Sequence, residues 1–192
     1  MLCIFCTLPC FSCIKEIKMN LDEKFNDAIE NYLALSNTLD EDLKAIINGD
    51  NDSVTWKRNF IRVAIAVIEG NCHCLREFCE VAMGAGQQIS KKRQKAITDE
   101  RSCSASERIK YNIQSAYVVF EIDHAPNFDG VEWSYAKEAI TKRDKLIHPR
   151  TIQDLEITES KWPQHHCGVI WLIQNLISFI EAVTLKYDSP RS

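Results

Sequence analysis

The sequence has few glycines and prolines for its length, with six and five among 192 residues. Turn-rich β proteins use both residue types at their many chain reversals, so this scarcity argues against a β-sandwich and favours long helices joined by short connections. An excess of positive charge is also lacking, because the formal net charge is −4. No overall positive field is therefore available to recruit nucleic acid, and any such contact must come from a local patch.

The length and composition predict one globular domain with a core of its own. Hydrophobic residues make up 45% of the chain and charged residues 26%, which is typical of a folded domain and not of a disordered one. We expect a soluble cytoplasmic protein without a membrane segment. Two stretches are locally basic: residues 91–110 hold seven basic against three acidic residues, and residues 137–150 hold five against two. Such stretches are usually solvated faces.

Four of the nine cysteines lie in the first thirteen residues, in a C-x2-C-x3-C-x2-C pattern. The pattern consists of Cys3, Cys6, Cys10 and Cys13. The three-residue gap between the pairs is too short for an ordinary zinc ribbon. We interpret residues 1–18 as an atypical leader from an over-extended gene start, with the domain spanning 19–192 from Met19; a membrane or metal role remains open. The other five cysteines are expected as small apolar residues in a reducing compartment.

Apolar residues recur at steps of three and four along most of the chain, which predicts a bundle of four or five long helices. Ser53 and either Ser104 or Ser106 are expected N-caps. We expect a break near 37–40 in the first helix and a mobile polar segment over 89–104. Helix ends are predicted at Gly84 and Pro149. Later helices are predicted to start at Asp129 and at Thr158 or Ser160.

The segment from Arg143 to Pro149 combines groups that could carry chemistry. Residues five apart on a helix are separated by about 140°, so Arg143 and His148 do not converge in a regular helix. Pro149 disfavours helical geometry at His148, which could then swing back toward Arg143. Asp144 lies four residues before His148, so its carboxylate is expected to hold the imidazole. The competing interpretation is a histidine that only caps its helix.

These groups suit cleavage of RNA, which supplies its own nucleophile, the 2′-hydroxyl. Arg143 would stabilise developing negative charge and His148 would transfer the proton. Lys142, Lys145 and Arg150 are predicted to hold the RNA backbone electrostatically. One imidazole cannot easily be acid and base in one step, so a two-fold homodimer with facing motifs would supply both. No metal and no cofactor is expected.

The Arg143-Asp144-x3-His148 element in a late helix of an all-α chain resembles the signature of the HEPN superfamily, Arg-x4–6-His with a polar residue often following the Arg. The helix over 56–69 also resembles an early helix of HEPN toxin-like proteins. The resemblance implies a metal-independent homodimeric endoribonuclease of toxin–antitoxin or antiviral systems, with an antitoxin protein as a further partner. It also implies that Arg143 and His148 are catalytic and Asp144 accessory. Some members carry a modified Tyr two residues after the His, where this chain has Arg150.

The alternative function is a non-catalytic helical dimerisation or interaction module of the same fold. Two triplets also resemble metal ligands, Cys72-His73-Cys74 and His165-His166-Cys167. Neighbours two apart on a helix point about 200° apart, so neither triplet chelates alone, although the two could join across the bundle. Arg62 and Glu69 share one helix face and are expected to form an ion pair, or to line the cleft if their helix packs beside the late one.

Overall fold

The computed structural model describes residues 23–49 and 53–188, which contain six α-helices and no β-strand. The interpretation of residues 1–18 as a leader therefore lies outside the described residues. The helices are α1 (Glu23–Ile47), α2 (Val54–Gly84), α3 (Lys91–Thr98), α4 (Ala105–Val119), α5 (Val131–Ile147) and α6 (Trp162–Asp188). Five are long, as predicted, and α3 is an additional short helix.

The first helix runs without interruption through residues 37–40, so the predicted break is wrong. The hydroxyl of Thr38 donates a 3.2 Å hydrogen bond to the carbonyl of Ala34 inside the same helix. A polar side chain that bonds back to its own helix does not interrupt it. Leu43 is fully buried, and α1 packs along α2. The apolar contact with α2 therefore continues on both sides of the polar stretch.

The second helix is the centre of the bundle and contacts every other helix. Its start confirms the predicted cap, because the Ser53 side chain accepts a 3.1 Å hydrogen bond from the Trp56 N–H. Its apolar residues recur at helical spacing and are buried. They include Phe60, Ile61, Ala64, Ile65, Ile68, Leu75 and Phe78. This stripe joins residues from the other long helices in one hydrophobic core.

The polar segment over 89–104 contains α3, a short helix that the sequence pattern does not predict. Only Ala96 and Ile97 of this basic helix are buried, and both pack into the space beside α4. Two apolar residues are too few to produce a helical pattern in the sequence. Next, Ser104 and Glu107 form a reciprocal capping box that starts α4, which confirms Ser104 over Ser106 as the cap.

The fifth and sixth helices approach each other closely at one glycine. A Cβ atom at Gly168 would lie 2.2 Å from the Ala136 nitrogen and 2.4 Å from the Tyr135 carbonyl carbon. Small residues at a helix crossing let two backbones come together, so α5 is fixed against α6 at this point. The helix predicted to begin at Asp129 begins at Val131, and its N-cap Gly130 makes no side-chain cap hydrogen bond.

Rings from α2 and α6 form an aromatic cluster near the starts of these two helices. Phe60 lies 5.3 Å from Trp56, 5.6 Å from Trp162 and 5.3 Å from the His166 ring, measured between centroids. Beside them the ammonium of Lys57, which is 3% exposed, pairs with Glu159 at 2.7 Å. The cluster anchors the start of α6 on the start of α2.

The sixth helix is long and apolar enough to cross a membrane over Trp162–Lys186, with a mean hydropathy of 1.6 in its most apolar window. A core helix of a globular bundle meets the same criteria, so this is weak evidence for insertion. Residues along one face of α6 are buried in the bundle. They are Val169, Leu172, Ile173, Leu176, Phe179 and Val183.

Candidate functional site

Arg143 lies on the face of α5 that meets α2, and its side chain is only 16% exposed. One guanidinium nitrogen pairs with the carboxylate of Glu69 on α2. The other terminal nitrogen lies 3.2 Å from the Asp144 carboxylate. The cation is thus held between two carboxylates, while its Nε atom is buried and has no hydrogen-bond partner among the described residues.

Asp144 does not hold the imidazole of His148, contrary to the prediction. Its carboxylate pairs with Arg143, and only its main-chain carbonyl contacts His148, accepting a 3.0 Å hydrogen bond from the His148 N–H. The neighbouring guanidinium is always charged, so it is the stronger partner for a carboxylate.

His148 follows the last helical residue of α5, as Pro149 predicts. Its backbone has left the helical region, with φ −121° and ψ 59°. Its side chain is exposed and makes no hydrogen bond to any described residue, so the expected swing back to Arg143 is not seen. The two residues lie at the same helix end, and no hydrogen bond joins their side chains.

Arg62 and Glu69 do not pair with each other, so the expected ion pair between them is wrong. Arg62 donates to the carbonyl of Leu146 at 2.8 Å and to the amide oxygen of Asn59 at 3.2 Å. Glu69 pairs instead with Arg143. Both side chains therefore run from α2 to the last turns of α5. The helix that carries them, α2, does pack beside the late helix α5, which is the condition that the alternative expectation required.

Arg143 borders a groove of about 320 Å³ between α2, α3, α4 and α5. Its charged lining comprises three arginines and one carboxylate, but Arg76 also pairs with Glu80 at 3.7 Å and Arg143 with Asp144. Its lining residues include Glu69, His73, Arg76, Arg108, Asn112 and Arg143. His148 is not among them. Arg76 and Arg108 were not singled out in the sequence, although the second lies in the basic stretch 91–110.

The three basic residues predicted to hold RNA do not border this groove. Lys142 and Lys145 line a separate groove of about 440 Å³ between α5 and the start of α6. The Lys142 ammonium donates a 2.9 Å hydrogen bond to the Asp154 carbonyl, and burial lowers the pKa of Lys142. Arg150 is exposed, and its main-chain N–H donates to the Asp154 carboxylate at 2.9 Å.

The side chains of the two triplets that resemble metal ligands lie in different environments. Cys72 and Cys74 are buried, and burial raises the pKa of Cys72 and raises that of Cys74 to about 11. His166 packs on aromatic rings, and Cys167 is exposed. Within residues 23–49 and 53–188, no group of three or more His, Cys, Asp or Glu side chains is placed to hold a metal ion.

Comparison with protein-family models, curated proteins and solved structures finds no match to the chain. The chemistry available to the site therefore follows from its own side chains. Guanidinium groups that line a groove can contact a phosphate, and the exposed imidazole on the same helix end as Arg143 can exchange a proton.

Proposed function

We propose that this protein is a metal-independent endoribonuclease of the HEPN type. The supporting observation is the placement of Arg143 at the edge of a groove rich in arginine, on the helix end that also carries an exposed His148. RNA supplies the attacking 2′-hydroxyl, so the protein needs to position the phosphate and to transfer protons. Neither task requires a metal ion or a cofactor in this mechanism.

In this mechanism Arg143 stabilises the phosphorane-like charge while His148 moves the proton. The guanidinium carries five N–H donors, and the contacts with Glu69 and Asp144 leave the buried Nε without a described partner. The 2′-oxygen attacks the adjacent phosphorus, its proton passes to a base, and the 5′-oxygen leaves with a proton from an acid. The products are a 2′,3′-cyclic phosphate and a 5′-hydroxyl.

A homodimer would bring two copies of His148 to one scissile phosphate, one as base and one as acid. The surroundings of His148 support such an association. Ile147 is 46% exposed and Ile152 is 67% exposed, on either side of the histidine. Covering these side chains on association would remove apolar surface from water.

The cellular role that goes with this proposal is a toxin or antiviral effector in the cytoplasm, with an antitoxin protein as partner. It rests on the resemblance of the Arg143–His148 element to the HEPN signature. A neighbouring gene for a small nucleotidyltransferase or another antitoxin would support it. Arg150 stands where some HEPN proteins carry the modified tyrosine, so that route of control has no matching residue here.

The test is cleavage of a mixed-sequence RNA by the full chain in the presence of a chelator, beside Arg143→Ala and His148→Ala. The matched control is His124→Asn, which changes another exposed histidine; Asn tolerates the positive φ of 62° at that position. We expect wild type and the control to cleave and both site variants to lose at least about 100-fold, the usual contribution of one acid–base group. Circular dichroism is used to check that all four proteins fold.

A second candidate function, a non-catalytic helical interaction module, has one specific observation in its favour. Arg143 is already engaged by two carboxylates and has no contact with His148. The same experiment separates the two functions. Equal inactivity of all four folded and dimeric proteins supports the module and contradicts the enzyme.

A further inference from the structure

A groove lined by lysines lies on another face of α5, away from Arg143. Six of its eight lining residues are Ser134, Lys137, Glu138, Thr141, Lys142 and Lys145 of α5; the other two are Lys161, just before α6, and His165 in the first turn of α6. The α5 positions recur at steps of three and four, so they share one helix face. Arg143 is rotated about 100° from Lys142 and about 160° from Lys145. The two grooves therefore lie on different faces of the same helix.

The charge of this groove is concentrated and only partly neutralised. Four lysines line it against one carboxylate, Glu138, which pairs with Lys161 at 2.9 Å. Lys142 is held by the Asp154 carbonyl. Lys137 and Lys145 are exposed and form no ion pair with any residue from 23–49 or 53–188. These two ammonium groups are available to an external anion.

A buried polar group without a described partner lies in the wall of this groove. His165 lines the groove, is 6% exposed, and its Nδ1 atom has no hydrogen-bond partner in the described part of the chain. Leaving a buried nitrogen unsatisfied costs free energy that a bound group or water would recover. Burial, followed by Lys142 and Lys161, lowers the pKa of His165 against the opposite effect of Glu138.

The shape and composition indicate which anion fits. Lys137 and Lys145 are eight residues apart, which separates them by about 12 Å along the helix axis and exceeds the reach of a single phosphate. The lining contains no Phe, Tyr or Trp, so nothing is placed to stack on a base. Lysine is a point charge that follows a backbone without fixing its geometry. A chain of phosphates is therefore favoured over a nucleotide with a buried base.

We infer that this lysine groove binds the phosphate backbone of the RNA substrate at nucleotides outside the cleavage site. The choice of RNA rests on the function proposed above. The groove gives the protein an independent hold on a long RNA that passes around α5, so substrates of many nucleotides are favoured over short ones. The contact carries no base specificity, because backbone contacts position a nucleic acid without reading its sequence.

The test measures binding separately from cleavage. A fluorescent 20-nucleotide RNA with 2′-O-methyl groups cannot undergo 2′-hydroxyl attack, and its Kd is measured by anisotropy for full-chain wild type and Lys137→Ala/Lys145→Ala. The control is Lys44→Ala/Lys91→Ala, which removes the same charge from two exposed sites on α1 and α3. We expect the groove variant to bind roughly tenfold more weakly and its log–log salt slope to fall by about 1.4, at 0.7 per lost contact.

Cleavage of two substrates provides the second arm. Loss of the two lysines should raise KM for an unmodified 20-mer and leave cleavage of a ribodinucleoside monophosphate unchanged. If wild type cleaves neither substrate but the difference in RNA affinity is observed, the proposed ribonuclease activity is contradicted, whereas RNA binding by the lysine groove is supported. Equal RNA affinity and salt slope for the groove and control variants overturns the groove. Unchanged RNA binding with lost binding to phosphatidylglycerol vesicles would also overturn it, in favour of a membrane surface.

Discussion

Arg62 Nη2 donates a 2.8 Å hydrogen bond to the Leu146 carbonyl, so a side chain of α2 closes the end of α5. The last four carbonyls of a helix have no partner within the helix. An arginine from the central helix satisfies one of them and fixes the turn from which His148 projects. The proposed site thus depends on a contact between residues that are 84 positions apart in the chain.

Replacing Arg62 with Ala should therefore destabilise the protein. We expect a loss of about 1.5–3 kcal/mol in the free energy of unfolding, measured with urea, which is the range for a hydrogen bond that involves a charged group. The control is Arg58→Ala one turn earlier, where the Thr55 hydroxyl, at 3.0 Å, is the sole hydrogen-bond partner of the guanidinium among the described residues. It should change stability by less than about 0.5 kcal/mol. Equal effects of the two changes would show that the Arg62 contact does not stabilise α5.

The contact between Glu69 and Arg143 can be tested by a double-mutant cycle. Both side chains are mostly buried, at 33% and 16% exposure, so the pair is shielded from solvent more than a surface salt bridge. Glu69→Gln and Arg143→Met should show a coupling of about 1–2 kcal/mol in unfolding free energy. Simple additivity of the two single changes would contradict this pairing. Glu69→Gln should also lower kcat, because Arg143 loses its positioning partner.

Gly168 allows the closest approach between α5 and α6. Gly168→Ala should cost about 3 kcal/mol or more, because its Cβ would lie 2.2 Å from a backbone nitrogen that cannot move aside. Gly84→Ala is the control, since a Cβ there has no atom within 4 Å. That change should be neutral or stabilising by up to about 1 kcal/mol. A mild effect of Gly168→Ala on the thermal midpoint would contradict the close packing of α5 on α6.

Local sequence signals were sufficient for most of the fold. The sequence predicts Ser53 as a cap, and Ser104 as one of two candidates, because a cap bonds within three residues of itself. The short helix α3 escaped prediction because only Ala96 and Ile97 are buried in it. The same physics explains why the helix pattern of α2 and α6, with many buried residues each, was clear.

The site was less predictable, because its partners are distant in sequence. The Arg143-to-Pro149 segment indicated the end of α5 correctly, but the nearest local pairing, Asp144 with His148, is not formed. Glu69 lies 74 residues before Arg143, and nothing local links them. The spacing of Arg62 and Glu69 on one face of α2 was the available signal. It became informative only once α2 was known to pack beside α5.

Two histidines at the start of α6 should make stability depend on pH. Burial lowers the pKa of both His165 and His166 below the ordinary 6.5. Below pH 6.5 the unfolded chain takes up these protons and the folded protein does not, so stability is present above that pH and falls as the solution is acidified. His166→Phe keeps the ring contacts with Phe60 and Trp162 and should reduce this loss. Urea unfolding of wild type and His166→Phe at pH 7.5 and 5.5 measures the loss of unfolding free energy on acidification. An equal loss in the two proteins would contradict the role of His166.

The chemistry proposed for Arg143 and His148 is tested most directly by the ends of cleaved RNA. A defined 20-mer is incubated with the full chain in chelator, and the fragments are weighed by mass spectrometry. We predict fragments with a 2′,3′-cyclic phosphate and a 5′-hydroxyl, absent with His148→Ala and with a substrate carrying one 2′-deoxy group at the cut. Fragments with a 5′-phosphate, or undiminished cleavage by His148→Ala, would contradict the proposed mechanism.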